Sequence, residues 1–150
     1  MTTAQIGLEP SPVRSLHEVH LPSDTRAGAE LLDRIAVELH AAGFEPKEVG
    51  AIELAATEAF VNAVRHGNGN DPTKQVRVAY GIDEEEFVLH VEDQGPGFNR
   101  ADIPDPTFHE NLSRPGGRGL LLMKHLMSRI EYNERGNQIT LRRFRNRCQP

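Results

Sequence analysis

The chain has 150 residues, 37% of them hydrophobic, and a formal net charge of −5. One domain of this length buries about 70% of the surface its unfolded form exposes, and the acidic balance argues against a direct nucleic-acid binder. A lone Cys148 excludes an intrachain disulfide or a cysteine-based zinc site, and the longest apolar run, Leu120 to Met123, is far too short for a membrane helix. Met1 to Pro12 lacks the basic region and apolar core of a signal peptide, so a cytoplasmic location without membrane contact is expected.

Residues 1–12 hold two prolines and no periodicity and read as a flexible tail, leaving 13–150 as a single domain. Val13 to Leu21 alternates as a strand. Pro22-Ser23-Asp24 then offers a helix start, with Ser23 or Asp24 as the cap. Arg26 to Ala42 repeats apolar residues at helical spacing and closes at Gly43; Pro46 opens a second helix running to about His66, with Gly67 as its stop. Lys74–Ile82 and Glu86–Asp93 read as a strand pair turned at 83–85. Regularity is lost between Gln94 and Gly117, a stretch rich in proline and glycine, and a loop of that length in a small domain is usually functional or disordered. A helix at Gly119–Met127 and strands at Ile130–Asn133 and Gln138–Phe144 follow. The order β-α-α-β-β-loop-α-β-β predicts an α+β two-layer sandwich: a mostly antiparallel sheet with helices on one face.

Charge is segregated along the chain. Residues 83–110 carry a net −8 and residues 111–150 a net +7. Either Asp83 to Glu86 is a solvated turn and Arg142, Arg143, Arg145 and Arg147 lie on an edge strand or tail, or the basic third attracts a polyanion.

Three groups of residues stand out. On the second helix, Glu58, Asn62 and His66 fall at i, i+4 and i+8, on one face of an otherwise apolar segment. They form either a solvated stripe or a base with an oxygen ligand for a hard cation. Asp93 shares the parity of Phe87, Leu89 and Val91, so a carboxylate ends the apolar side of its strand, just before Gln94-Gly95-Pro96-Gly97-Phe98. Those glycines suit a plain turn or a close approach of backbone to a ligand. Arg114-Pro115-Gly116-Gly117-Arg118-Gly119 leads into a helix whose first amides would suit phosphate, although a hinge looks the same. No Gly-x-x-x-x-Gly-Lys-Ser/Thr, no Gly-x-Ser-x-Gly and no histidine metal box occurs.

Taken in order, Glu58-Ala-Phe-Val-Asn62-Ala, Asp93-Gln-Gly95-Pro-Gly97-Phe98 and Gly117-Arg118-Gly119-Leu120 resemble the three nucleotide-binding boxes of the GHKL (Bergerat-fold) superfamily. The stretch Thr57 to Gly67 is most similar to anti-sigma-factor serine kinases of the RsbW and SpoIIAB type. The resemblance implies ATP and Mg²⁺ as cofactors. Asn62 would bind the metal and phosphates, with Arg65 and His66 beside it; Asp93 would accept the adenine amino group; and Gly95, Gly97 and Phe98 would wall the base. The loop before Gly117 would be the ATP lid, and Gly117, Arg118, Gly119 and Leu120 would offer amides to phosphate. Glu58 would be the general base, and Thr140 matches a threonine on the last strand that contacts the base side. The implied function is an ATP-dependent serine/threonine protein kinase acting as an anti-sigma factor. It would bind a sigma factor and phosphorylate an anti-anti-sigma antagonist of the STAS-domain type. Family members dimerise, and an unpaired first strand could serve a homodimer. A non-catalytic ATP-binding regulator and a stand-alone histidine-kinase-type ATPase domain are the alternatives.

Overall fold

The computed structural model describes residues 15–97 and 117–145. Its elements are β1 (His17–Pro22), α1 (Ala29–Ala41), α2 (Pro46–Asn62), a π-helical turn (Ala63–Gly67), β2 (Gln75–Ile82), β3 (Glu86–Glu92), α3 (Gly117–Leu126), β4 (Arg129–Tyr132) and β5 (Gln138–Phe144). The five strands form one sheet in the order β1-β2-β3-β5-β4, and every neighbouring pair is antiparallel. All three helices lie on one face of it, as the apolar alternation requires. Val76, Val78, Tyr80, Phe87, Leu89, Val91, Ile139 and Leu141 meet Ile35, Leu39, Ile52, Ala55, Ala59, Phe60, Leu120 and Met123 in a single core. α2 packs between α1 and α3. Its small residues Ala55, Ala56 and Ala59, all buried, let it sit close to the sheet.

Several boundaries differ from expectation for identifiable reasons. β1 begins at His17, with Ser15 and Leu16 outside the ladder, and it is a paired edge strand rather than a free one. α1 begins at Ala29 with Gly28 at its N-cap. Asp24 instead closes a turn, its carboxylate accepting the Arg26 N–H (2.9 Å). Ser23 is buried and accepts a hydrogen bond from Asn68 Nδ2 (3.0 Å), which removes it from capping. α2 starts at Pro46 as read, behind a reciprocal capping box between Glu45 and Glu48. It ends as an α-helix at Asn62, where i→i+5 bonding takes over: the Asn68 N–H reaches the Ala63 carbonyl at 2.8 Å.

The segregated charges answer each other within the fold. β5 is an interior strand, not an edge, and it lies against β3 and β4. Arg142 pairs with the fully buried Glu86 (2.8 Å), and Arg143 donates to the Leu126 carbonyl that ends α3. Arg145 donates to the carbonyls of Ala42 (3.1 Å) and Glu84 (3.2 Å), tying the end of α1 to the β2–β3 hairpin. Three of the four arginines thus hold structure together, and Glu86 is not part of a solvated turn. Arg147 lies outside the described residues.

Candidate active site

The C-terminal half of α2 meets the first turn of α3 at a glycine. A Cβ on Gly119 would lie 2.6 Å from Glu58 Oε2 and 3.5 Å from Asn62 Nδ2. A glycine here lets the backbone of α3 approach this pair without displacing the Glu58 carboxylate. Glu58 and Asn62 are one turn apart and half-buried, so the helical spacing places a carboxylate and an amide side by side. They face the N-terminal end of α3, where unsatisfied amides and the helix dipole favour negative charge. Gly117 is the first residue of α3, and Leu120 turns its own side chain into the core. The Arg118 side chain, Phe98 and the expected lid at 99–116 lie outside the described residues.

Asp93 follows β3 directly. Its carboxylate packs on the α-carbon of Gly67, where any Cβ would overlap it, and the Gly95 α-carbon packs equally close to the Gly67 carbonyl. Its Oδ1 accepts the Gly95 N–H (2.8 Å). Burial pushes the Asp93 carboxyl above the ordinary carboxylate range, and the Gly95 N–H partly offsets this. Such a carboxylate has an oxygen left to accept from a ligand. On its other side the loop is braced by the β4–β5 turn. The Asp93 N–H donates to the Asn137 carbonyl (2.9 Å), and Asn137 Nδ2 donates to the Asp93 carbonyl (3.1 Å). Gly97, at φ +77°, lies against the Arg135 carbonyl, so both its missing side chain and its backbone conformation are needed there.

Of the sequence-predicted residues, the structure brings Glu58, Asn62 and Gly119 into one group and places Asp93 and Gly95 against Gly67 at the end of the same helix. Arg65 and His66 are exposed on the π turn. The widened turn breaks the i, i+4, i+8 register that would have aligned His66 with Glu58. Thr140 is not brought to this group. It stands in register with His90, on the sheet face away from the helices, with its Oγ1 2.8 Å from His90 Nδ1. Alternation gives the helix side of β5 to Ile139 and Leu141. Two residues that sequence reasoning missed are Asn137, which braces Asp93, and Asn68, buried at the end of the π turn. Both sit in Gly/Asn-rich stretches that read as plain turns, so their types gave little signal.

Among the described residues no group of three or more His, Cys, Asp or Glu could hold a metal, and no helix is long and apolar enough to cross a membrane. The Asn62 amide oxygen is a ligand type that Mg²⁺ accepts beside phosphate and water. The space at Gly67, Gly95 and Gly119 is filled by the chain's own Asp93 carboxylate, Gly67 carbonyl and Glu58 carboxylate, so the fit to a nucleotide with its cation rests on the donor set: Glu58, Asn62, Asp93 and the start of α3.

Comparison with known proteins gives the same direction. The histidine kinase-like ATPase domain family matches residues 21–143. The chain is 32% identical over 114 residues to the serine-protein kinase RsbW of Bacillus licheniformis, covering 70% of each chain. It is 30% identical over 119 residues to the anti-sigma F factor of Geobacillus stearothermophilus, covering 76% of this chain and 81% of that one. The crystal structure of the RsbU and RsbW domains of Rv1364c from Mycobacterium tuberculosis superposes with a TM-score of 0.59 at 18% identity. That match covers 93% of this chain and 34% of the larger one, and it bears on the fold alone. Carrying the domain from β1 through β5, this chain belongs to the histidine kinase-like ATPase domain family.

Proposed function

We propose that the chain is a Mg²⁺- and ATP-dependent serine/threonine protein kinase that acts as an anti-sigma factor in the cytoplasm. It would bind a sigma factor and phosphorylate a STAS-domain antagonist. The observation that carries this reading is the convergence of Glu58 and Asn62 on the opening turn of α3, with Asp93 set against Gly67 at the far end of the same helix. A carboxylate, a side-chain amide and an anion-favouring helix end together suit a general base, a metal ligand and a phosphate site, and the Asp93 carboxylate suits the adenine amino group. The names and identities of the relatives support the family role.

In this reading Asp93 Oδ2 accepts from the adenine amino group, while Gly95 and Gly97, packed on the Gly67 and Arg135 carbonyls, hold the loop that carries it. Asn62 would hold Mg²⁺, which would supply neutralisation of phosphate charge. The amides of Gly117 to Leu120 orient the terminal phosphate, with Arg118 supplying positive charge, and Arg65 and His66 lie at the outer rim. A partner's serine hydroxyl attacks the γ-phosphorus, Glu58 takes the hydroxyl proton, and the bond to the ADP oxygen breaks. Such a transfer depends chiefly on positioning and charge, so a base contributes the low end of its usual range, about 10²-fold.

Transfer of labelled γ-phosphate to a STAS-domain partner tests the proposal. Wild type should label a serine or threonine on the partner, and Glu58→Gln should bind ATP normally but transfer about 10²-fold more slowly. Tight ATP binding with no transfer would favour a non-catalytic regulator, and label on histidine a histidine-kinase-type domain.

A further inference from the structure

Asn68 is 2% exposed, and each of its three side-chain hydrogen bonds goes to a different part of the fold. Nδ2 donates to Ser23 Oγ after β1 and to the Gln75 carbonyl at the start of β2, both at 3.0 Å, while Oδ1 accepts the Gln94 N–H at 2.7 Å. Gln94 completes a closed ring, because its own Oε1 accepts the Gln75 N–H at 2.7 Å. The Asn68 N–H meanwhile closes the π turn on Ala63. Only a short primary amide supplies two donors and an acceptor from one buried point.

The position of this ring gives it a consequence. Asn68 directly follows Gly67, and Gln94 directly follows Asp93, so the ring fastens the two segments one residue away from where the Asp93 carboxylate packs on Gly67. We propose that Asn68 is a positioning residue for base selection: by tying the π turn to Gln94 it sets the aim of the Asp93 carboxylate, and with it the preference for a purine bearing an amino group over one bearing a carbonyl. This rests on the nucleotide reading above. The positioned carboxylate accepts from the amino group of adenine, whereas it meets the carbonyl oxygen of guanine as a second acceptor. Loosening the ring therefore removes discrimination and leaves the phosphate contacts, which lie on α2 and α3, in place.

The test is calorimetric titration of the full chain with Mg-ATP and Mg-GTP, for wild type, Asn68→Ala, Asp93→Ala and the double variant. Asn68→Ala should lower ATP affinity about tenfold with little change for GTP, and should add nothing in the Asp93→Ala background. A purely structural role would weaken both nucleotides alike; an unchanged ATP-to-GTP ratio, or full additivity in the double variant, overturns the proposal. Should Asn68→Ala fail to fold, Gln94→Ala removes only the exposed side chain that closes the ring. It should lower the same ratio by about threefold, roughly half the free energy of the tenfold loss, and an unchanged ratio again overturns the proposal. If Asp93→Ala itself leaves ATP affinity unaltered, the base reading fails, and the role of Asn68 fails with it.

Discussion

Gly119→Ala should move stability and phosphoryl transfer in opposite directions. The residue is the third of α3 and its φ is not positive, so alanine is sterically free on the backbone and raises helix propensity by up to about 1 kcal/mol. The added Cβ would stand 2.6 Å from Glu58 Oε2 but 3.5 Å from Asn62 Nδ2. Ordinary contact is about 3.5 Å, so the carboxylate must retreat by about 1 Å while the amide keeps its place. Glu58 is the far end of a flexible side chain and can yield at small cost. A 1 Å misplacement of a reacting group lowers rate by up to about 10²-fold, which is about 2.7 kcal/mol of barrier. Urea unfolding should therefore show a midpoint equal to or above wild type. ATP affinity should stay within about threefold, since Asp93 and Asn62, the proposed adenine and metal contacts, have not moved. Single-turnover transfer to the partner should fall about 10- to 100-fold. A well-folded Gly119→Ala protein that transfers phosphate at the wild-type rate would refute the assignment of Glu58 as the base.

Arg142→Met should lower the unfolding free energy by about 3 kcal/mol, because it leaves the Glu86 carboxylate buried beside an apolar group; Oε2 already has no hydrogen-bond partner among the described residues. Combining it with Glu86→Leu should recover most of that loss in urea unfolding, and a double variant no more stable than Arg142→Met would contradict the pairing. His90 is held below the ordinary histidine range by burial first and by Arg142 and Arg77 next. The unfolded chain therefore takes the proton first, so the stabilisation is complete above the unfolded pKa, near 6.5, and is lost as pH falls through the lower folded value. Unfolding free energies at pH 7 and pH 5 should differ less in His90→Gln than in wild type, and equal differences would show that His90 carries no such linkage.

The layer arrangement was legible because apolar alternation on β2, β3 and β5 and the apolar stripe of α2 all point to one core. Helical spacing put Glu58 and Asn62 on one face and glycines marked the start of α3, but joining Gly119 to that pair was implied only by the family resemblance. The π turn was not, because a switch from i→i+4 to i→i+5 bonding depends on what fastens the chain after it, and Asn68 does so through Ser23, Gln75 and Gln94, which are distant in sequence. Thr140 was matched by resemblance alone, and the face it occupies was not legible for a related reason. The face on which a strand residue lands is set by hairpin register, and a one-residue difference exchanges the faces. The Asn133 side chain fixes that register by accepting the N–H groups of Gly136, Asn137 and Gln138. The charge segregation was visible, but only the order of the strands shows that acid and base neutralise each other across β3 and β5.

Nucleotide binding at Asp93 underlies both the kinase reading and the role given to Asn68. Titrating Mg-ATP into wild type and Asp93→Asn measures it directly. The substitution keeps size and replaces an acceptor-only group with one that presents donors to the adenine amine. Because burial makes the charged carboxylate costly in the folded chain, unfolding stability at neutral pH should be unchanged or slightly higher. ATP affinity should fall about tenfold to a hundredfold. A folded Asp93→Asn protein that binds Mg-ATP as tightly as wild type would contradict the account.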